Sequence, residues 1–139
     1  MGKAPLEWSG DMSVGHDGVD EQHRRLIDLI NRLVACSTRQ AGRDATFAAL
    51  DALTAYVDEH FAEEERQMLA CGYPDHAAHK ADHDTMRGTI RTLRASVRSA
   101  GDVFGATVAI LPKWLERHLT TLDRDIAVFL AERRGAPRR

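Results

Sequence analysis

Apolar side chains recur at intervals of three and four in four separate stretches of the chain, the spacing that lines one face of an α-helix. The first stretch runs through Val19, Leu26, Ile27, Ile30, Leu33 and Val34, and the second through Leu50, Leu53, Val57, Phe61 and Met68. The third holds Met86, Ile90, Leu93 and Val97, and the fourth holds Leu111, Leu115, Leu122, Ile126, Phe129 and Leu130. No segment alternates with the two-residue period of a strand over a useful length. The separators are Ala41-Gly42-Arg43, Cys71-Gly72-Tyr73-Pro74 and Ala100-Gly101-Asp102. Gly42, Gly72 and Gly101 are expected helix stops, and Asp44 and Asp75 expected N-caps. Long helices joined by short connections favour antiparallel neighbours. The pattern therefore predicts an all-α fold, an up-down-up-down antiparallel four-helix bundle over residues 19–133. Residues 1–18 are expected to form an N-terminal arm, with Leu6 and Trp8 as docking points, and residues 134–139 a basic, solvated tail. Two residues cut across the pattern. Pro112 should either start the regular part of the fourth helix or kink it, and Gly88 should weaken the third slightly.

The apolar faces also carry side chains that do not belong in a core. His23 stands in the first stripe, His60 and Glu64 in the second, His79 and His83 in the third and His118 in the fourth, with Asp123 beside it. One buried histidine with a satisfied hydrogen bond is ordinary. Seven inward polar groups are not. At about 1–3 kcal/mol for each unsatisfied group, and more for a carboxylate, their cost is on the order of 10 kcal/mol, comparable to the whole stability of a domain. A bound metal offsets that cost and explains why every helix contributes. His79 and His83 are i, i+4, as are His60 and Glu64, so each pair shares a helix face. His118 and Asp123 are i, i+5, about 7.5 Å apart along a helix axis. That offset suits one ion poorly but fits a carboxylate reaching between two ions. Five imidazoles and two carboxylates are too many donors for one octahedral ion. With both carboxylates and one oxo or hydroxo group bridging, they fill all but one position of two. Glu63 and Glu65, at less favourable offsets, are expected to be solvated, and His16 and His76 to be surface or capping residues.

Composition narrows the field further. The chain of 139 residues suits one domain, and a net charge of −2 gives no reason to expect a nucleic-acid partner. Cys36 and Cys71 are far apart and form no CxxC, which argues against a disulfide scaffold or a thiolate metal site. There is no secretory h-region and no apolar run long enough to span a membrane, so a reduced, cytoplasmic setting is expected.

The four polar insertions have a familiar order. "VGHDGVDEQHRRLIDLIN", "HFAEEERQM", "YPDHAAHKADH" and "WLERHLTTLD" resemble the first-helix, HxxxE, HxxxH and HxxxxD motifs of the hemerythrins, in their single-domain bacterial form. The resemblance spans nearly the whole chain. It implies two iron ions in a non-haem diiron centre, bridged by an oxo or hydroxo group and two carboxylates, that binds dioxygen reversibly. By that resemblance His79, His83 and His118 hold one iron, His23 and His60 hold the other, and Glu64 and Asp123 bridge. Leu26, Phe61, Trp114, Leu115 and Leu119 match positions that line an apolar oxygen pocket. Met86 stands where an aromatic residue is common, so looser packing is expected beneath the site. A diiron enzyme with oxidase, peroxidase or NO-handling activity is the rival on the same scaffold, but such enzymes favour Glu-rich sets with ExxH motifs, absent from this chain. A zinc-stapled interaction module would be colourless and would need no open position. With no second domain to signal through, an oxygen sensor would require an unidentified protein partner.

Overall fold

Helices α1 (Asp17–Thr38), α2 (Arg43–Ala70) and α3 (His76–Ser96) occupy the first three periodic stretches of a computed structural model that describes residues 5–97 and 103–135. The fourth stretch is delivered in pieces: α4 (Val103–Val108), α5 (Leu111–Thr120) and α6 (Leu122–Gly135). Cross-helix contacts give the directions. Gln22 meets His60 while Cys36 meets Ala45, so α1 and α2 run antiparallel. Glu65 meets Arg87 while Asp51 meets Arg94, so α2 and α3 do too. The expected four-helix bundle results.

The helix ends show how local chemistry sets the boundaries. α1 begins at Asp17, two residues before the expected start, because the His16 ring accepts the Val19 amide at 3.2 Å and caps it. The Asp20 carboxylate takes the Ser13 hydroxyl at 2.6 Å and the Val14 amide at 2.8 Å, fixing the chain as it enters the helix. α2 ends in a Schellman motif: Gly72 adopts φ +68, its amide bonds Leu69 O, and the Tyr73 amide bonds Met68 O. The side chains of Tyr73 and Met68 then pack together.

Two expectations at the first turn are corrected. Gly42 is the N-cap of α2 rather than the stop of α1. Asp44 lies in the first turn of α2, where its charge suits the positive helix end, and not at the cap. α1 closes with the same Schellman bonds, Ala41 amide to Cys36 O and Gln40 amide to Ser37 O, but the left-handed position is Gln40, at φ 52. A side chain there carries a steric cost that glycine avoids. Gln40→Gly should therefore stabilise the fold by roughly 0.5–1 kcal/mol after the extra chain entropy of glycine is counted, measurable as a rise in the urea midpoint at unchanged slope. Asp75 is the N-cap of α3 by position, but its side chain caps nothing. Gly101 and the tail beyond residue 135 lie outside the described residues.

Pro112 is the second residue of α5. It starts the helix instead of kinking it, because an amide is not needed in the first turn. The arm docks as expected: Leu6 is buried and exchanges two hydrogen bonds with the Asn31 amide, and the Arg24 guanidinium lies 4.5 Å over the Trp8 ring. The main core runs from Leu33, Leu53 and Leu93 to Leu115 and Leu119. Met86 is buried within it, 2 % exposed. A smaller cluster of Met68, Tyr73 and Ile126 closes the opposite end. The layer between these two clusters is polar. No helix among the described residues is long and apolar enough to cross a membrane.

Candidate metal centre

All seven inward polar residues meet in that layer. α1 supplies His23, α2 His60 and Glu64, α3 His79 and His83, α5 His118 and α6 Asp123. The five histidines and Asp123 are each at most 8 % exposed, and the Glu64 side chain is 13 % exposed.

The i, i+5 pair is brought together by a break in the helix. In a straight α-helix Asp123 would point about 140° away from His118. Thr121, between α5 and α6, leaves the helical region at φ −122, ψ −74. Its hydroxyl bonds Arg117 O at 2.6 Å, and the Thr120 hydroxyl bonds Glu116 O at 2.8 Å. Such back-bonding bends helices. After the break Asp123 Oδ1 lies 3.0 Å from His118 Nε2.

The donor atoms crowd together, but apart from the His79 Nε2–Glu64 Oε1 hydrogen bond they are poorly aligned as hydrogen bonds. Asp123 Oδ1 is 3.1 Å from His79 Nε2, and Oδ2 is 3.3 Å from His23 Nε2. Glu64 Oε1 is 2.9 Å from both His79 Nε2 and His83 Nε2. Yet Nε2 of His23, His83 and His118, together with Asp123 Oδ1, are buried without a hydrogen-bond partner. Lone pairs that approach without facing one another face a common point. Cis ligands on an octahedral ion with bonds of about 2.1 Å lie about 3.0 Å apart, the spacing found here. Two groups of donors form: Glu64, His79, His83, His118 and Asp123, and His23, His60 and Glu64. Glu64 belongs to both, and Asp123 turns one oxygen to each side. The set could hold two metal ions, with Glu64 within reach of both.

The sequence profile of the hemerythrin HHE cation binding domain matches residues 14–130. The chain belongs to the hemerythrin family. It is 33% identical over 124 residues to a bacteriohemerythrin of Stenotrophomonas maltophilia, covering 89% of this chain and 80% of that one. It is 28% identical to a myohemerythrin of Riftia pachyptila, covering 86% and 89%. A crystal structure of wild-type hemerythrin superposes with a TM-score of 0.75 at 30% identity, covering 86% of this chain and 92% of that one.

Electrostatics in this hemerythrin-family site favour charge on both partners. Burial pushes the His79 and His118 imidazoles toward neutrality, but Asp123 and Glu64 at His79, and Asp123, Asp82 and Glu64 at His118, outweigh it and raise both to about 9. Burial would likewise raise Asp123, yet His118 and its neighbours hold it well below the carboxylate range. Glu64 is lowered against burial and the nearby Asp123 charge by His79 and His83. His60 is lowered, chiefly by burial. Without an ion, protons on His79 and His118 offset the carboxylate charge. A metal must displace them to bind.

Three residues near the donors were missed from sequence. Glu65, expected to be solvated, accepts from His83 Nδ1 at 2.8 Å and is held by Arg87 at 2.9 Å. Asp82 accepts from His118 Nδ1 at 2.7 Å and pairs with Arg117 at 3.1 Å. Gln22 Oε1 accepts from His60 Nδ1 at 2.9 Å. A signal was present: each stands next to a donor residue in sequence (Gln22 by His23, Glu65 by Glu64, Asp82 by His83). An adjacent helical position is rotated by about 100°, so it reaches the rim of the site and a ring from the neighbouring helix.

The five apolar residues expected around the site are all buried. Phe61 stacks on His83 with centroids 3.8 Å apart, and Trp114 on His118 at 4.7 Å. A separate cavity of about 380 Å³ reaches the site from the other side. It touches His23, His60, Glu64 and Asp123 and is walled by Val19, Gln22, Gln67, Ile126 and Leu130. His16 lies on it, and His76 does not.

Proposed function

We propose that this chain binds dioxygen reversibly at a non-haem diiron centre and is not an enzyme. His79, His83 and His118 would hold one iron, His23 and His60 the other, with Glu64 and Asp123 bridging. The observation that supports this reading is the division of the seven donors into two groups that share Glu64, with the second oxygen of Asp123 3.3 Å from His23 Nε2. When bound, the iron pair supplies the electrons that dioxygen borrows and returns.

The chain's own residues account for the rest. Neutral imidazoles outnumber carboxylates five to two. They stabilise high-valent iron less than carboxylates would, which favours holding dioxygen over activating it. The group with two histidines has fewer protein donors, and the cavity reaches that side. Phe61, Trp114, Leu26, Leu115 and Leu119 form an apolar wall. Such a wall solvates separated charge poorly on the side of the His83 and His118 rings, while other residues line the cavity beside His23 and His60. The helices from α1 to α6 carry the function. The cytoplasm is the proposed setting, and Cys36 and Cys71 are free thiols.

Iron analysis with oxygen cycling tests the reading. Reconstituted protein should hold about two irons per chain. When reduced, it should take up one dioxygen per site and give it back under argon. A loaded ratio near one iron would reject the dinuclear centre. Immediate conversion to the ferric form with release of hydrogen peroxide would favour an oxidase.

A further inference from the structure

The outer hydrogen bonds divide unequally between the two donor groups. In the group of three histidines, two rings donate to carboxylates: His83 Nδ1 to Glu65 and His118 Nδ1 to Asp82. Each carboxylate is in turn paired with an arginine, Arg87 or Arg117. In the group of two histidines, His60 donates to the neutral Gln22, and His23 Nδ1 has no partner among the described residues. A carboxylate has no proton to give, so the bond fixes the proton on Nδ1 and leaves the Nε2 lone pair for the interior. It also pushes electron density into the ring, which an amide does far less.

We propose that Glu65 and Asp82 are positioning residues that make His83 and His118 the stronger donors. Gln22 leaves His60 a weaker one, so the two metal positions of this chain differ in affinity and in their hold on the ferric state. This part of the difference is set from outside the seven donors, and adds to the unequal number of donors in the two groups. Both carboxylates are well shielded, with side chains 15 and 17 % exposed, so water screens them little. The inference rests on the two-metal reading above.

Cobalt(II) titration of the apo-protein, followed by its visible bands, reads the two positions without any oxygen chemistry. Wild-type protein should bind two equivalents in two resolved steps. Glu65→Gln and Asp82→Asn keep an acceptor oxygen but lose the charge, and each should weaken the tighter step by about 10- to 100-fold. Gln22→Glu, on an exposed residue, should strengthen the weaker step and narrow the gap. In the iron-loaded protein the midpoint potential should rise for the first two variants and fall for the third. A purely structural role would not produce that opposite pair of shifts. Two equivalents in the wild type with all three variants unchanged within threefold would overturn the inference and leave the two-metal reading standing. Failure of the wild type to take two equivalents would overturn that reading and the inference with it.

Discussion

Replacing His79, His83 or His118 by leucine should drop the iron content from about two ions per chain to one or fewer, and lower the melting temperature of the loaded protein toward that of the apo form. Metal binding free energy adds to folding free energy when the unfolded chain lacks the site. Losing one of three imidazoles around an ion removes most of that contribution. It also leaves Asp123 and Glu64, which face these rings at 2.9–3.1 Å, buried with less opposing charge. The controls separate a donor histidine from an ordinary one. His76→Leu, half-buried at the first position of α3 and outside both donor groups, should change neither quantity. His16→Leu should keep its iron but lose about 1 kcal/mol, because the ring that accepts the Val19 amide is gone. The apo form should still fold, since protons on His79 and His118 balance the carboxylates. Thermal melting with iron analysis on the same samples makes the comparison. If His76→Leu lost iron while His79→Leu kept it, the assignment of the α3 donors would be wrong.

Phe61→Ala should destabilise the apo-protein by about 3–5 kcal/mol, the range for removing a buried phenylalanine side chain. Phe61 is 1 % exposed and stacks flat on His83, with ring planes 2° apart and centroids 3.8 Å apart; Arg87 covers it at 5.3 Å. Its loss opens a cavity directly against a donor ring. The His83 imidazole gains freedom, and water gains a route through the apolar wall. Loss of bound oxygen to the ferric form should therefore also speed up. Phe61→Leu, which refills much of the volume, should cost less on both counts. Urea unfolding of the apo-protein measures the first effect, and the decay of the oxygenated spectrum the second. A stability loss below about 1 kcal/mol would show that the surrounding side chains collapse into the space, and that Phe61 does not support His83.

Much of the site was legible in the sequence because its parts are local. The rise and rotation of a helix are fixed by backbone geometry, so His79 with His83, and His60 with Glu64, must share faces wherever those helices go. The excess of polar groups in four apolar stripes was also visible, and burial of uncompensated polar groups is too costly to be accidental. Helix ends were partly legible. Gly72 signalled the close of α2 because its position needs a positive φ, whereas Gln40 at the equivalent position of α1 carries no such signal. What tertiary structure decided lies between helices. Their place beside a donor puts Glu65 and Asp82 at the rim of the site, but whether they face rings on the neighbouring helices or water depends on how α2, α3 and α5 pack. An i, i+5 spacing does not say that the chain breaks at Thr121 and swings Asp123 back to His118. Periodicity specifies which face of each helix turns inward. Only packing brings four such faces to one layer, and only there do the donors come within reach of one another.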